Sequence, residues 1–199
     1  VLEAIELECA RGGRVLFRGL SFGLAKGERL RVAGPNGSGK TSLLRVLCGL
    51  LTPASGEVKW NGQSMRALRE DFSREVLYLG HAPAVKEDLT AAENLAISAR
   101  IAGLPCNAIN ESLERYGVPQ GLVKRMSQGQ RRRAALARLM LSAAVPLWLL
   151  DEPFTALDAG ASALTEALIL AHAQRGGAIV YTTHHEVNIP QTRIIQLDA

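Results

Sequence analysis

Cysteine is scarce in this sequence, aromatic residues are few, and no apolar run is long enough to cross a bilayer uninterrupted. The 3 cysteines, Cys9, Cys48 and Cys106, lie far apart and form neither a CxxC pair nor a metal-ligand spacing. That argues against a disulfide-stapled scaffold and suits a reducing compartment, where they are expected to serve as small apolar core residues. The 4 histidines, His81, His172, His184 and His185, complete no haem-attachment motif with them. The longest apolar candidate, 134–150, is short, carries Arg138 inside it and is cut by Pro146. It therefore reads as a helix followed by a buried strand. The stretch Val1 to Glu6 alternates like a strand and lacks the charged start and apolar middle of a signal peptide. The expectation is a chain that meets a membrane only through partners.

Charge of one sign is not in excess either. The 23 Lys and Arg against 19 Asp and Glu leave +4, dispersed along the chain. The one basic run, Arg131-Arg132-Arg133, precedes Ala135, Leu136 and Leu139 in a helical pattern. A solvated helix face is expected there rather than a nucleic-acid patch, and a surface for anionic headgroups stays open. With 47% apolar and 21% charged residues, nothing suggests disorder or a repeat array, and one globular domain over 1–199 is expected.

What is present is a regular alternation. Val15 to Phe22, Arg29 to Ala33, Gly56 to Trp60, Val76 to Leu79, Leu147 to Leu150, Ala178 to Thr182 and Arg193 to Leu197 read as strands. Helical spacing marks Thr41 to Leu50 and Ala161 to Gln174. Between Thr90 and Met140 the pattern is helical, broken at Gly103, Pro105, Gly117 and Pro119. Short all-apolar strands alternating with helices imply an α/β fold around a parallel sheet buried on both faces. The β-rich start and a helical lobe, approximately 82–140, read as additions to that core.

The loop Gly34-Pro35-Asn36-Gly37-Ser38-Gly39-Lys40-Thr41, followed by Ser42, matches G-x-x-x-x-G-K-[ST] between a strand and a helix. Its glycines allow backbone angles closed to other residues, so that successive N–H groups converge on phosphate oxygens. The helix N-terminus behind them favours negative charge. Lys40 is placed to reach the β- and γ-phosphates and Thr41 to offer its hydroxyl to Mg²⁺. Strand Leu147 to Leu150 then delivers Asp151-Glu152 at its C-terminal end, where open α/β sheets bind ligands. Asp151 suits Mg²⁺ and its waters, and Glu152 suits the orientation or deprotonation of an attacking water.

Further segments carry a family resemblance. Met126-Ser127-Gln128-Gly129-Gln130, leading into Arg131 to Arg138, resembles the signature motif of ATP-binding cassette (ABC) proteins, with Gln128 where Gly is usual. Read alone, it is a helix start capped by Ser127. Thr155-Ala156-Leu157-Asp158 resembles the family's D-loop, and His184 after Thr182-Thr183 its switch histidine. These segments follow the family's order from the first strand to the last. The resemblance implies a P-loop NTPase fold, a RecA-like parallel-sheet core with an N-terminal antiparallel lobe and a helical subdomain. It also implies ATP and Mg²⁺ as ligands and a head-to-tail dimer in which ATP lies between the phosphate loop of one copy and the signature of the other. Ser127, Gln128 and Gly129 would then act in trans, Asp158 would link the two sites, and His184 would contact the γ-phosphate.

Two departures narrow the resemblance. His81, in Tyr78-Leu79-Gly80-His81-Ala82-Pro83, stands where most cassettes place a Gln that contacts Mg²⁺ or water. With Leu89-Thr90, Glu93-Asn94-Leu95, Trp148 and Asp151 to Asp158, that segment is similar to the haem-exporter ATPases of bacterial cytochrome c maturation. That subfamily works on the cytoplasmic face of the inner membrane with integral-membrane subunits. It implies haem export, or haem release from a periplasmic chaperone, with no nucleic acid involved. The second departure is the absence of an aromatic near Ala10 to Gly13 to stack on adenine, leaving the guanidinium of Arg11 as the planar candidate. The alternatives are another ABC exporter ATPase for lipids, peptides or ions, or a soluble ABC ATPase acting on nucleic acid or ribosomes.

Overall fold

The computed structural model describes residues 1–187 and 189–198, excepting the side chains of 69 and 70. The chain begins with β1 (Leu2–Arg11), β2 (Arg14–Leu24) and β3 (Arg29–Ala33), followed by α1 (Lys40–Leu47). Next come β4 (Ser55–Trp60), β5 (Gln63–Ser64), α2 (Met65–Glu75) and β6 (Val76–Leu79). The helices α3 (Ala91–Ile101) and α4 (Ile109–Arg115), a 3-10 turn at Val123–Arg125, α5 (Gln128–Leu136) and α6 (Arg138–Leu141) follow. The last elements are β7 (Leu147–Leu150), α7 (Ala159–Gln174), β8 (Ala178–Thr182) and β9 (Thr192–Gln196).

Two sheets result. The first is antiparallel, in the order β2-β1-β4-β5, and the second is parallel, in the order β6-β7-β8-β3-β9. Asn61 and Gly62, both at positive φ, turn β4 into β5 as the type I′ hairpin requires. In β1 the buried residues are Leu2 and Ala4, then Leu7 and Cys9. The bulge at Glu6, with φ 48°, inserts the extra residue that keeps both pairs on one face.

The parallel sheet separates two cores. Leu30, Val32, Leu147, Leu149, Ala178 and Val180 face α1 and the antiparallel sheet. Trp148, Leu150, Ile179 and Tyr181, with Leu77 and Leu79, face the helices α3 to α7. Burial on both faces is why the central strands β7 and β8 are nearly continuous apolar runs, each fully buried Leu, Ile or Val contributing roughly 1.5–3 kcal/mol. Among the described residues no helix is long and apolar enough to cross a membrane, and Pro146 divides α6 from β7 as the sequence indicates.

Two expectations are corrected and one element is added. The basic run is not a solvated face, because Arg132 is only 4% exposed and its neighbours are half-buried. Of the cysteines only Cys9 is a core residue, since Cys48 is half-buried and Cys106, just past Pro105 in the turn after α3, is exposed. Helix α2, in which Met65, Leu68 and Phe72 recur at helical spacing, is an addition to the elements read from the sequence. Its Phe72 docks edge-on against Trp60 with ring centroids 5.8 Å apart.

Candidate functional site

The C-terminal ends of β3, β6, β7 and β8 open into a cleft of about 640 Å³. Asn36, Gly37, Gly39, Lys40, Thr41, Ser42, His81, Asp151, Glu152 and His184 all line it. The chain leaves β3 at Gly34 (φ 147°), passes Gly37 (φ 83°), and enters α1 at Gly39 (φ 100°). A Cβ on Gly34 would lie 2.5 Å from the carbonyl oxygen of Leu197 and 2.6 Å from Ser38 Oγ. One on Gly39 would lie 3.0 Å from Leu16 of β2. The antiparallel sheet therefore abuts the loop. Lys40 curls over the loop and donates to the carbonyls of Gly34 (2.7 Å) and Pro35 (2.9 Å). Burial lowers its pKa, and the charges of Glu152 and Asp151 oppose the fall. Gly34 and Pro35 thus hold the lysine rather than line the cleft.

Asp151 is at the end of β7 and only 1% exposed. Its backbone N–H donates to the Leu79 carbonyl at 2.8 Å, extending the pairing with β6 by one residue. Its Oδ2 accepts from Thr41 Oγ1 (2.8 Å) and its Oδ1 from Thr182 Oγ1 (2.9 Å). Thr182 Oγ1 in turn accepts from the N–H of Glu152 at 2.9 Å, so this hydroxyl joins β8 to both acidic residues. Glu152 has φ 53°, a left-handed conformation that costs about 1–3 kcal/mol and concentrates at functional sites. Its Oε2 accepts from the backbone N–H of His184 (3.2 Å), and its Oε1 lies 3.4 Å from His184 Nε2. The half-exposed imidazole and the carboxylate thus face the same space.

The chemistry of these donors suits a phosphate-bound hard cation. Thr41 Oγ1 and Asp151 Oδ2 meet at one point, and Ser38 Oγ is buried with no hydrogen-bond partner among the described residues. No group of three or more His, Cys, Asp or Glu forms a cage there, again among the described residues. Mg²⁺ takes few protein ligands and completes its shell with water and phosphate oxygens, so such a sparse set fits it.

The remaining candidates lie outside this cleft. Ser127 caps α5 through a capping box, accepting from Gln130 N–H at 3.2 Å while Gln130 Oε1 accepts from Ser127 N–H at 2.8 Å. Ser127 and Gln128 are exposed. A Cβ on Gly129 would come within 2.8 Å of the Ala156 carbonyl, so the glycine lets the D-loop pack against α5. Asp158 caps α7 by accepting from Ala161 N–H at 2.8 Å and pairs with Arg133. The Ala161 N–H holds its carboxyl below the usual range, with Arg133 adding to the effect. Ser127, Gln128, Gly129 and Asp158 therefore occupy a separate surface of the same chain. Sequence reasoning did not place Leu16, Thr155 or His185, which line the cleft, nor Thr182 as its central hydroxyl. Arg11 lines it too.

A phosphate-binding loop ahead of a helix, facing two carboxylates at the end of a parallel strand, defines a P-loop ATPase. Residues 17–155 match the family model of the ABC transporter. The chain is 48% identical to the "Cytochrome c biogenesis ATP-binding export protein CcmA" of Nitrosospira multiformis, over 98% of this chain and 97% of that one. It is also 48% identical to the protein of that name from Dechloromonas aromatica, over 99% and 98%. Among solved structures it superposes on a putative ABC transporter ATP-binding protein from Pyrococcus furiosus with TM-score 0.83, 24% identity and coverage of 98% and 96%. A cassette dimer described as a post-hydrolysis state bound to ADP and Pi gives TM-score 0.80, 22% identity and coverage of 99% and 94%. The chain belongs to the ABC transporter family and, within it, to the CcmA-type ATPases. It binds nucleotide and hydrolyses ATP.

Proposed function

We propose that this chain is the ATP-hydrolysing subunit of a membrane complex that drives haem export, or haem release from a periplasmic chaperone, in cytochrome c biogenesis. The observation that carries this reading is near-half identity, end to end, to proteins named for cytochrome c biogenesis export. Residues 1–199 act as one nucleotide-binding unit, with 82–140 as its helical part. It works at the cytoplasmic face of the inner membrane and touches the bilayer through integral-membrane subunits.

Each residue has a part in turnover. The loop N–H groups and Lys40 hold the β- and γ-phosphates, and Thr41 and Asp151 hold Mg²⁺, which when bound neutralises phosphate charge. Glu152 orients and deprotonates the attacking water, and the distances between Glu152 and His184 support a shared γ-phosphate contact. His81 stands beside them in place of glutamine. Because Ser127, Gln128 and Gly129 sit apart from their own cleft, a second copy brings them to the γ-phosphate, with Asp158 at the seam. Dimeric relatives of the same fold support this arrangement.

The test is genetic and biochemical together. Deleting the gene is expected to abolish covalent haem in c-type cytochromes while sparing b-type cytochromes. Purification of the tagged chain from membranes should co-isolate integral subunits. Normal c-type cytochromes in the deletion strain would remove the haem assignment and leave the ATPase.

A further inference from the structure

Two of the three arginines of the basic run bond backbone carbonyls, Arg131 to those of Met126 (3.1 Å) and Lys124 (3.2 Å) beside its own helix, but only Arg132 reaches the ends of the strands. Arg131 pairs with Glu87 and Arg133 with Asp158, both ordinary half-exposed ion pairs. Arg132 turns inward from α5, and its guanidinium reaches four backbone carbonyls. Nη1 donates to Gly80 (2.8 Å) and His81 (3.2 Å), and Nη2 donates to Asp151 and Glu152 (both 2.8 Å). No carboxylate oxygen is among these partners. Burial depresses the guanidinium pKa, and the charges of Asp151 and Glu152 oppose that fall.

The position explains the geometry. Strands β6 and β7 run in register to the bond between Asp151 N–H and Leu79. Beyond it the ladder between the two chains stops, and of the four carbonyls only that of Glu152 has a further donor, the N–H of Thr155 at 3.2 Å, among the backbone bonds of the described residues. Buried carbonyls need donors, and only a planar fork can serve both chains from one side chain. That fork hangs from the helix whose first turn carries Ser127 and Gly129.

We propose that Arg132 is a positioning residue for hydrolysis: through these four carbonyls it sets the loops of His81 and Glu152 against each other and against the signature helix. The inference rests on the reading that Glu152 directs the attacking water. Arg132 is not among the residues that line the cleft, and it acts by holding the Glu152 backbone where the side chain reaches the γ-phosphate. Displacement of about 1 Å at such a site is enough to cost about a hundredfold in rate.

The experiment measures ATP turnover and ATP binding for Arg132→Ala, Arg132→Lys, Glu152→Gln and the double variant Arg132→Ala/Glu152→Gln. Arg132→Ala is expected to lower kcat by about 10- to 100-fold while KM for ATP stays within about threefold. Lysine keeps charge and stem but not the fork, so Arg132→Lys is expected to recover little of the loss and remains readable if the alanine variant does not fold. Adding about 10 mM ethylguanidinium should restore turnover in Arg132→Ala and leave the wild type unchanged. In single-turnover assays the double variant should be no slower than Glu152→Gln, because residues acting as a unit are non-additive. Full additivity, unchanged kcat, full activity of Arg132→Lys, or a lowered Tm with no change in kcat would overturn the inference. Normal turnover by Glu152→Gln would instead overturn the reading of Glu152 itself.

Discussion

Strand β7 is only four residues long, and its two ends follow opposite rules. At its start, Trp148 is fully buried and lies flat on His172 of α7, with ring centroids 3.8 Å apart and planes 5° from parallel. The indole N–H donates to the Ser142 carbonyl at 3.2 Å. The fit leaves no slack, since a Cβ on Gly177 would lie 2.1 Å from the His172 ring. At its other end, Glu152 and Ala156 both adopt left-handed conformations, and the site hangs on hydroxyls and a half-exposed histidine. One end of the strand is packed for stability, and the other holds strain beside the cleft. A parallel sheet makes this division natural, because ligands bind beyond the carboxyl ends of its strands.

The largest expected effect breaks chemistry at one end and leaves packing at the other untouched. Glu152→Gln keeps the shape and the acceptor facing His184 N–H but removes the base. Turnover should fall by about 10²–10⁴-fold, measured as γ-phosphate release in a single-turnover assay. Binding of a fluorescent ATP analogue and Tm should both stay close to wild type. Wild-type turnover would mean that the strained carboxylate is not the base.

The packed end should reveal itself through pH. Burial lowers the His172 pKa from 6.5 to about 4, with Arg175 adding to the fall and the carbonyls of Ala143 and Pro146 opposing it. Between those values the unfolded chain binds a proton that the folded chain excludes. Stability is therefore complete above pH 6.5 and is lost as pH falls through about 4, by roughly 3 kcal/mol in total. Urea midpoints recorded from pH 7 down to 4 should show this limb, and it should flatten in His172→Asn. An equally steep limb in the variant would assign it to other groups.

The same division governs what was legible in the sequence. Strands β3, β6, β7 and β8 were read to the residue: β7 and β8, buried on both faces, are apolar almost throughout, and β3 runs straight into the glycine loop that marks its end. The glycine loop and Asp151-Glu152 were legible because backbone freedom and strand-end carboxylates leave a one-dimensional trace. Thr182 was not, since nothing in a Thr-Thr pair says which hydroxyl will bridge two acidic residues from a neighbouring strand. The burial of Arg132 was hidden for a related reason. Three successive arginines each point about 100° apart around a helix, and the pattern alone does not say which one meets the carbonyls. Helix α2 was missed although Met65, Leu68 and Phe72 recur at helical spacing, because charged residues separate them and the core they pack on, Trp60 included, comes from other elements. Ser127 and Gly129 were recognisable only as a motif, as they lie outside the cleft of their own chain.

The smallest effects separate crowding from strain within the phosphate loop. Gly34→Ala faces both, because its Cβ would lie 2.5 Å from the backbone oxygen of Leu197 at φ 147°. The carbonyl belongs to the chain leaving β9, so relief requires the loop and that segment to part. A loss of about 2–3 kcal/mol in stability is expected, together with a loss of ATP affinity larger than that of Gly37→Ala. Gly37→Ala meets nothing within 4 Å and carries only the left-handed strain at φ 83°. That strain is about 1 kcal/mol, or roughly fivefold in ATP affinity. It falls on an exposed loop and should leave Tm nearly unchanged. Isothermal titration and thermal melts of the two variants side by side decide the matter. Equal losses in both would mean that φ alone limits the loop, and that its contact with the end of the sheet contributes nothing.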